Sequence, residues 1–164
     1  MTKIKVLFVC LGNICRSPLA EAIFINKVRE KNLTDHFEVD SCGTSNYHIG
    51  DIPDVRTIST ALKYGIKINH IVRQLVAKDL ESYDYIVAMD RSNHQNILSL
   101  STDEIHQQKV ILMRTFDPLG KGEEVPDPYY GNETHFQEVY EILDRSMDNL
   151  LLHIEESYKS AGTI

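Results

Sequence analysis

Residues 4–9 form an apolar run that ends at Cys10, and this junction constrains the fold more than any other stretch. Such a run, rich in valine and isoleucine, predicts a buried β-strand. From Ser17 onward the apolar spacing becomes helical, with Pro18 suited to the first turn and Ser17 to the helix cap. The chain must therefore pass from strand to helix within residues 11–16, which puts a tight loop at the carboxyl end of the strand.

The rest of the chain alternates between apolar runs and helical periodicity. We expect strands at residues 37–41, 85–89 and 110–113, and helices at residues 17–31, 54–64, 91–100 and 136–158. Strands that alternate with helices predict an α/β fold: a four-stranded parallel sheet with helices on both faces and a phosphate-binding loop after strand 1. A single domain is expected over residues 1–164. In such sheets ligands bind at the carboxyl ends of the strands, where Cys10 lies.

Residues 11–16 have the composition of an anion-binding loop. Their backbone N–H groups can turn inward, toward the positive end of the helix that follows. Gly12 relieves steric limits on the turn, and Asn13 accepts a left-handed conformation. Arg16 adds a planar guanidinium suited to phosphate. The sequence therefore predicts a loop that binds a tetrahedral oxyanion, formed by Leu11, Gly12, Asn13, Ile14, Cys15 and Arg16.

Cys10 lies at the base of this loop. A helix N-terminus and a neighbouring cation both favour an ionised thiol, and the Ser17 hydroxyl is placed to donate a hydrogen bond to the sulfur. We therefore predict that Cys10 attacks the bound oxyanion. The departing alcohol or phenol needs a proton, for which Asp127 in the stretch EVPDPYYG is the candidate. The same carboxylate would then deprotonate a water, and this scheme requires neither a metal nor a cofactor.

The composition argues against several classes of protein. The formal net charge of -7 disfavours nucleic acid as a partner, since nucleic-acid-binding proteins present basic surfaces. No apolar run reaches the roughly 18 to 20 residues of a membrane helix, and the N-terminal apolar stretch is too short for a signal peptide. Three cysteines do not suggest a disulfide framework. We expect a cytoplasmic protein with free thiols and no membrane association.

Two motifs together resemble one family. The stretch CLGNICRS at residues 10–17 and the stretch DPYYG at residues 127–131 are similar to those of the low-molecular-weight protein tyrosine phosphatases. The stretches DSCGT, HIVRQ and YIVAMDRSN extend the resemblance along the chain. The resemblance implies hydrolysis of protein phosphotyrosine and of small aryl phosphates, an acid phosphatase activity. It also implies Cys10 as nucleophile, Arg16 as the phosphate-binding residue and Asp127 as general acid and base.

The resemblance implies further roles around the loop. Ser17 would hydrogen-bond the nucleophile. Ser41 and His70 would hold Asn13 in place, and Asp90 would orient His70. The substrate pocket would be lined by Ile14, Tyr47, Tyr129 and Tyr130. The expected partners are phosphotyrosine-containing proteins and inhibitory phosphate or other oxyanions, with the chain a monomer or weakly self-associating.

Cys15 has two interpretations, and its spacing from Cys10 allows both. It packs behind the loop, or, as the resemblance implies, it forms a disulfide with oxidised Cys10 and spares that residue from over-oxidation. Cys42 stands where a small residue is usual in the family, and we expect it only to pack. His48 and Asp51 lie in the variable loop that tunes substrate choice among family members.

Three other functions share parts of this pattern. An arsenate reductase on the same fold needs further cysteines downstream, and none follows Cys42. A protein arginine phosphatase usually has threonine where Ile14 stands and lacks the paired tyrosines. A module that only docks phosphate would not need Cys10 and Asp127 together. These differences favour phosphotyrosine, whose flat ring fits apolar and aromatic walls.

Overall fold

Four parallel strands form one sheet at the centre of the protein, as the alternating sequence pattern predicts. The computed structural model describes residues 2–162. The strands are β1 (Ile4–Cys10), β2 (Phe37–Gly43), β3 (Tyr85–Ala88) and β4 (Val110–Leu112). Their spatial order is β2-β1-β3-β4, and each pairing is parallel. Strand β1 is therefore central, with β2 on one side and β3 on the other.

Helices connect the strands and cover the sheet. They are α1 (Arg16–Glu30), α2 (Val55–Leu62), α3 (Ala77–Ser82), α4 (Arg91–Leu98), α5 (Glu104–Gln107) and α6 (Glu133–Ser160), with 3-10 helices at Thr34–His36 and Met113–Phe116. The sequence pattern does not predict α3 or α5, because six and four residues are too few to show helical periodicity. Within residues 2–162, no helix is long and apolar enough to cross a membrane.

Side chains of β1 alternate between two apolar clusters, one on each face of the sheet. Phe8 and Cys10 belong to the larger cluster, to which α1 and α6 contribute most of the helical side chains. Leu7 and Val9 belong to the smaller cluster, which includes side chains from α3 and α4. Helices therefore cover both faces of the sheet, and the predicted fold class is confirmed.

Helix α1 begins earlier than the sequence pattern predicts. It starts at Arg16, and Cys15 occupies the N-cap position without a side-chain cap hydrogen bond. The prediction that Ser17 caps the helix is therefore wrong, because the Ser17 hydroxyl lies against Cys10 instead. The apolar residues spaced along the inward face of α1 are all buried: Ala20, Ile23, Phe24 and Val28.

The carboxyl end of β1 is a switch point in the chain path. From β1 the chain crosses through α1 to β2 on one side, whereas β3 pairs with β1 on the other side. Parallel sheets bind ligands in the crevice at such a point. The loop of residues 11–15, which joins β1 to α1, occupies this position.

Candidate active site

The loop of residues 11–15 is fastened to the end of β2. Thr44 N donates to Cys10 O at 2.9 Å, and Ser45 N donates to Leu11 O at 3.0 Å. Gly43 permits this close approach, because a Cβ at that position would lie 2.7 Å from Leu11 O. The glycine therefore lets the loop backbone pass directly over the end of β2.

Asn13 holds the loop through both its backbone and its side chain. Its φ of 57° is in the left-handed region that asparagine tolerates, and the residue is fully buried. Its Nδ2 donates to Ser17 Oγ at 2.8 Å and to Ser41 Oγ at 3.0 Å. Its Oδ1 accepts from Arg73 N at 3.2 Å and lies 2.6 Å from His70 Nε2. These contacts fix the shape of the loop around Cys10.

His70 is braced from behind by two carboxylates. Its Nδ1 lies 3.2 Å from Glu21 Oε1 and 3.6 Å from Asp40 Oδ1. Ser41 Oγ donates to the same Glu21 oxygen at 2.7 Å. The resemblance led us to expect Asp90 beside His70, but Glu21 and Asp40 take that place. The sequence pattern does not assign Glu21 to this position beside His70, although Glu21 lies on α1 four residues after Ser17, where side chains share a face.

Among residues 2–162, one group of side chains has the spacing of a metal site. Ligand-type atoms of Glu21, Asp40 and His70 lie within 4.8 Å of one another. The Glu21 oxygen that would bind an ion already accepts from Ser41, and it faces His70 Nδ1. The group supports Asn13 from behind the loop, and we interpret it as part of that hydrogen-bond network.

The Cys10 thiol lies at the base of the loop, with only 2% of the residue exposed. Its Sγ lies 3.0 Å from Ser17 Oγ, and Asn13 N donates to it at 3.3 Å. A hydroxyl and a backbone amide are thus both placed to donate to the sulfur, and such donors stabilise negative charge.

Arg16 is buried at the start of α1, with 3% exposure. Its Nη1 donates to Asp90 Oδ2 at 2.7 Å and to Val125 O at 3.0 Å. Burial alone would lower the pKa of Arg16, but Cys10 and the hydrogen-bonded Asp90 raise it above its ordinary value. The other Asp90 oxygen accepts from Asn93 N at 2.8 Å and caps α4. Asp90 therefore joins Arg16 to the start of α4, whereas Glu21 and Asp40 are the carboxylates that contact His70.

One cavity of about 280 Å³ opens above the loop. It is lined by Cys10, Leu11, Gly12, Ile14, Cys15, Arg16, Tyr47, His48, Asp127, Tyr129 and Tyr130. Tyr47 and Tyr130 are 72% and 96% exposed and stand at the rim, whereas Cys10 and Arg16 are buried at the bottom. The cavity therefore combines an aromatic mouth with a polar floor. His48 lines its side and has Nδ1 at 3.5 Å from Asp51 Oδ2.

Asp127 enters the cavity from the segment before α6. Its Oδ2 lies 3.6 Å from Arg16 Nη2, and its side chain is 45% exposed. Its Oδ1 accepts from Tyr129 N at 3.1 Å, so the carboxylate also closes the local turn. The two prolines that flank Asp127 restrict its backbone. The side chain is therefore directed at the guanidinium and remains open to a ligand.

Arg56 secures the segment that follows Asp127, and the sequence pattern does not identify it. Its guanidinium binds both oxygens of Asp54, at 3.0 and 2.8 Å, and donates to Tyr129 O at 3.0 Å. It also lies 5.6 Å from the centre of the Tyr129 ring. The one sequence feature that indicates this ion pair is an acidic residue and an arginine two positions apart, Asp54 and Arg56, at the start of α2.

The remaining two cysteines are buried and differ from Cys10 in their surroundings. All three thiols are free. Burial and the nearby Asp54 raise the pKa of Cys15 to about 12, and burial raises the pKa of Cys42 well above its ordinary value. Both residues are therefore neutral thiols at physiological pH.

Known proteins resemble this chain over nearly its whole length. The family model described as low molecular weight phosphotyrosine protein phosphatase matches residues 5–160. The Schizosaccharomyces pombe low molecular weight phosphotyrosine protein phosphatase is 44% identical over 153 residues, covering 92% of this chain and 97% of its own.

Solved structures agree with these sequence relatives. A protein tyrosine phosphatase from Entamoeba histolytica has a TM-score of 0.91 and 41% identity, covering 94% of this chain and 99% of its own. A Drosophila arginine phosphatase has a TM-score of 0.84 and 35% identity, covering 92% of this chain and 98% of its own. Sequence and fold therefore lead to one conclusion: the chain belongs to the low molecular weight phosphotyrosine protein phosphatase family.

Proposed function

We propose that this protein tyrosine phosphatase forms a cysteinyl-phosphate on Cys10 as it hydrolyses phosphotyrosine in proteins and small aryl phosphates. The observation that carries the proposal is the cavity, which brings together Cys10, Arg16 and Asp127. A thiol, a fixed cation and a carboxyl group in one cavity supply a nucleophile, an anion-binding group and a proton donor.

Substrate binding is divided between the floor and the mouth of the cavity. The phosphate enters the loop of residues 11–16, where the backbone amides, the N-terminus of α1 and the Arg16 guanidinium bind its oxygens. The phenyl ring lies against apolar and aromatic walls contributed by Ile14, Tyr47, Tyr129 and Tyr130. Inorganic phosphate and other tetrahedral oxyanions occupy the same floor and inhibit competitively.

In the first chemical step, the Cys10 thiolate attacks phosphorus and forms an S–P bond. The bond between phosphorus and the tyrosine oxygen breaks, and protonated Asp127 donates its proton to that oxygen. The products of the step are tyrosine, a cysteinyl-phosphate and the Asp127 carboxylate. Arg16 stabilises the charge on the transferring phosphoryl group.

In the second step, the Asp127 carboxylate takes a proton from a water molecule as the water oxygen attacks phosphorus. The S–P bond breaks, phosphate departs and the Cys10 thiolate is restored. Ser17 Oγ, at 3.0 Å from the sulfur, donates to the thiolate as it leaves. Each residue thus returns to its starting state without a metal or a cofactor.

Three peptides of one sequence, carrying phosphotyrosine, phosphoserine or phosphoarginine, test the substrate. We expect kcat/KM to favour phosphotyrosine by roughly 10- to 100-fold, because only its ring fills the space between the rim and the floor. The comparison with phosphoarginine matters because one structural neighbour is an arginine phosphatase. The variant Ile14→Thr is expected to reduce the preference for phosphotyrosine over phosphoarginine. Cys10→Ser should be inactive on all three peptides. A wild-type protein that prefers phosphoarginine would overturn the proposed substrate.

The compartment and the assembly state stay predictions. We infer a reducing compartment, the cytoplasm, because the mechanism needs Cys10 as a free thiol. We also infer a monomer or a weakly associating chain, without nucleic-acid or membrane partners. Light scattering across a range of protein concentrations measures the assembly state, and a tight dimer at the lowest concentration would contradict this inference.

A further inference from the structure

The chain that leads to Asp127 is held by arginine side chains. Backbone carbonyls at three nearby positions each accept a hydrogen bond from a different guanidinium. The pairs are Arg91 Nη2 with Gly122 O at 2.7 Å, Arg114 Nη1 with Glu124 O at 2.9 Å, and Arg16 Nη1 with Val125 O at 3.0 Å. Arg16 belongs to the phosphate site, but the mechanism above gives no role to the other two.

Arg114 is itself locked by the buried carboxylate of Asp117. The Asp117 side chain has no exposed surface, and its Oδ2 accepts from Arg114 Nε at 2.8 Å. Arg145 of α6 binds the same carboxylate, through Nε at 2.8 Å and Nη2 at 3.0 Å. Leu119 N donates to the Asp117 Oδ1 atom at 2.9 Å. The carboxylate therefore ties Arg114 to α6 and to the loop.

The loop backbone wraps closely around the Arg114 guanidinium. Gly122 N donates to Arg114 O at 2.9 Å, and Arg114 Nη2 lies 3.1 Å from Glu123 Oε2. At Gly120 even a single methyl group would overlap the guanidinium. Bulk at this position would therefore displace Arg114 without removing any charge.

Asp127 depends on this support because its own contacts are few. Among the described residues, its side chain hydrogen-bonds only Tyr129 N and lies 3.6 Å from Arg16. A proton donor must come within about 2.6–3.2 Å of the oxygen it protonates. Its position must therefore come from the backbone, which Pro126 and Pro128 stiffen.

We propose that Arg114, locked by Asp117, is a positioning residue that sets the place of Asp127 relative to Cys10 and so controls proton donation to the leaving group. The inference rests on the proposed role of Asp127 as general acid. Arg114 does not line the cavity and acts through the backbone carbonyl at Glu124, three residues before Asp127.

Arg145 provides a matched control on the other side of the same carboxylate. It binds Asp117 from α6, and within residues 2–162 no hydrogen bond joins it to residues 118–127. Arg114→Met and Arg145→Met therefore remove similar guanidiniums from Asp117, but only the first also releases the Glu124 carbonyl. A purely structural role predicts the same catalytic behaviour for both variants.

The test compares kcat/KM for p-nitrophenyl phosphate, which has a good leaving group, with kcat/KM for phenyl phosphate, which has a poor one. Asp127→Ala should raise this ratio, because the poor leaving group depends on the lost proton. We expect Arg114→Met to raise the ratio about tenfold or more through displacement of the acid, whereas Arg145→Met should leave it unchanged. The inhibition constant of inorganic phosphate should stay as in the wild type for both arginine variants.

The outcomes separate the general-acid role of Asp127 from the positioning role of Arg114. An unchanged ratio in Asp127→Ala would remove Asp127 as general acid, and with it the proposed mechanism. A raised ratio in Asp127→Ala with an unchanged ratio in Arg114→Met would refute the positioning role alone. An equal rise in Arg145→Met would show a general structural effect and also refute it. If Arg114→Met does not fold, Gly120→Ala takes its place in the comparison and is expected to raise the ratio. The conservative variant Arg114→Lys should have a ratio closer to that of the wild type than Arg114→Met has.

Discussion

At the scale of single residues, Asn13 joins a left-handed backbone to a set of buried side-chain contacts. Its Nδ2 atom donates to Ser17 and Ser41, and its Oδ1 atom contacts Arg73 N and His70. Ser17 also lies against the Cys10 sulfur. Asn13 thereby connects the shape of the loop to the position of the nucleophile.

Replacing Asn13 by glycine tests this connection. Glycine adopts the same φ without strain, so Asn13→Gly removes the hydrogen bonds and leaves the backbone preference intact. We expect the free energy of unfolding to fall by about 1–3 kcal/mol and kcat/KM for aryl phosphates to fall with it. Asn32 also has a φ of 57° but is exposed, so Asn32→Gly is the matched control and should keep full activity. Equal activity in the two variants would contradict the role given to Asn13.

Cys15 lies in the same loop as a buried, neutral thiol, five residues after Cys10. We propose the protective role. Peroxide transfers an oxygen to the Cys10 sulfur and leaves as water; Cys15 then loses its proton as its sulfur attacks, a second water departs and an S–S bond forms. A reductant would restore both thiols.

Peroxide treatment of Cys15→Ser checks this proposal. Wild-type activity should return after a reductant is added, whereas the variant should lose activity permanently, because its Cys10 oxidises further. Cys42→Ala serves as the control and should recover like the wild type. Full recovery of Cys15→Ser, or mass spectrometry that finds no Cys10–Cys15 linkage in the wild type, would contradict the protective role.

At the scale of elements, the segment between β4 and α6 carries a buried ion cluster. Hydrogen bonds from Arg145, Leu119 N and Arg114 outweigh the effect of burial and lower the pKa of Asp117 to about 2, from an ordinary value of 3.8. A carboxyl group whose pKa is depressed by folding stabilises the protein above its unfolded pKa. That stabilisation disappears as the pH falls from about 4 through about 2.

Chemical denaturation of Asp117→Asn at several pH values measures this contribution. The asparagine has no charge to lose, so the stability difference between wild type and variant should shrink by about 2 kcal/mol between about pH 5 and pH 2. Asp35→Asn, on the exposed 3-10 helix, is the control, and its stability difference from the wild type is expected to stay constant over the same pH range. For Asp117→Asn, a difference that stays constant over this pH range would show that folding does not lower the pKa of Asp117.

The elements that sequence could predict are those whose signal is local. Strands β1, β3 and β4 are short, largely apolar runs, and Cys10 and Arg16 flank one short loop, so β1 and the phosphate site follow from neighbouring residues. Arg56 and Glu21 are tied to the site by partners that are distant in the chain: Arg56 donates to a carbonyl 73 residues away, and Glu21 contacts Ser41 and His70. Such residues look like ordinary surface charges until the fold brings their partners close. Arg114 has its partners within ten residues, but they lie in a loop without helical or strand periodicity, so no sequence pattern distinguishes it.

At the scale of the whole molecule, an acidic protein surrounds a site built for an anion. The chain carries a formal charge of -7, yet its cavity floor holds Arg16 at the N-terminus of α1. Attraction for a phosphate must therefore be local, from the guanidinium, the loop amides and the helix end. The sheet topology delivers these groups together, because the loop follows the central strand at its carboxyl end.

The central claim is that the phosphoryl group passes through the sulfur of Cys10. A phosphotyrosine peptide with labelled phosphate, mixed rapidly with the enzyme and quenched in denaturant, tests it directly. We predict label on the proteolytic fragment that contains Cys10, appearing before free phosphate and absent from Cys10→Ser. Label on another residue, or normal turnover by Cys10→Ser without any labelled protein, would contradict the account.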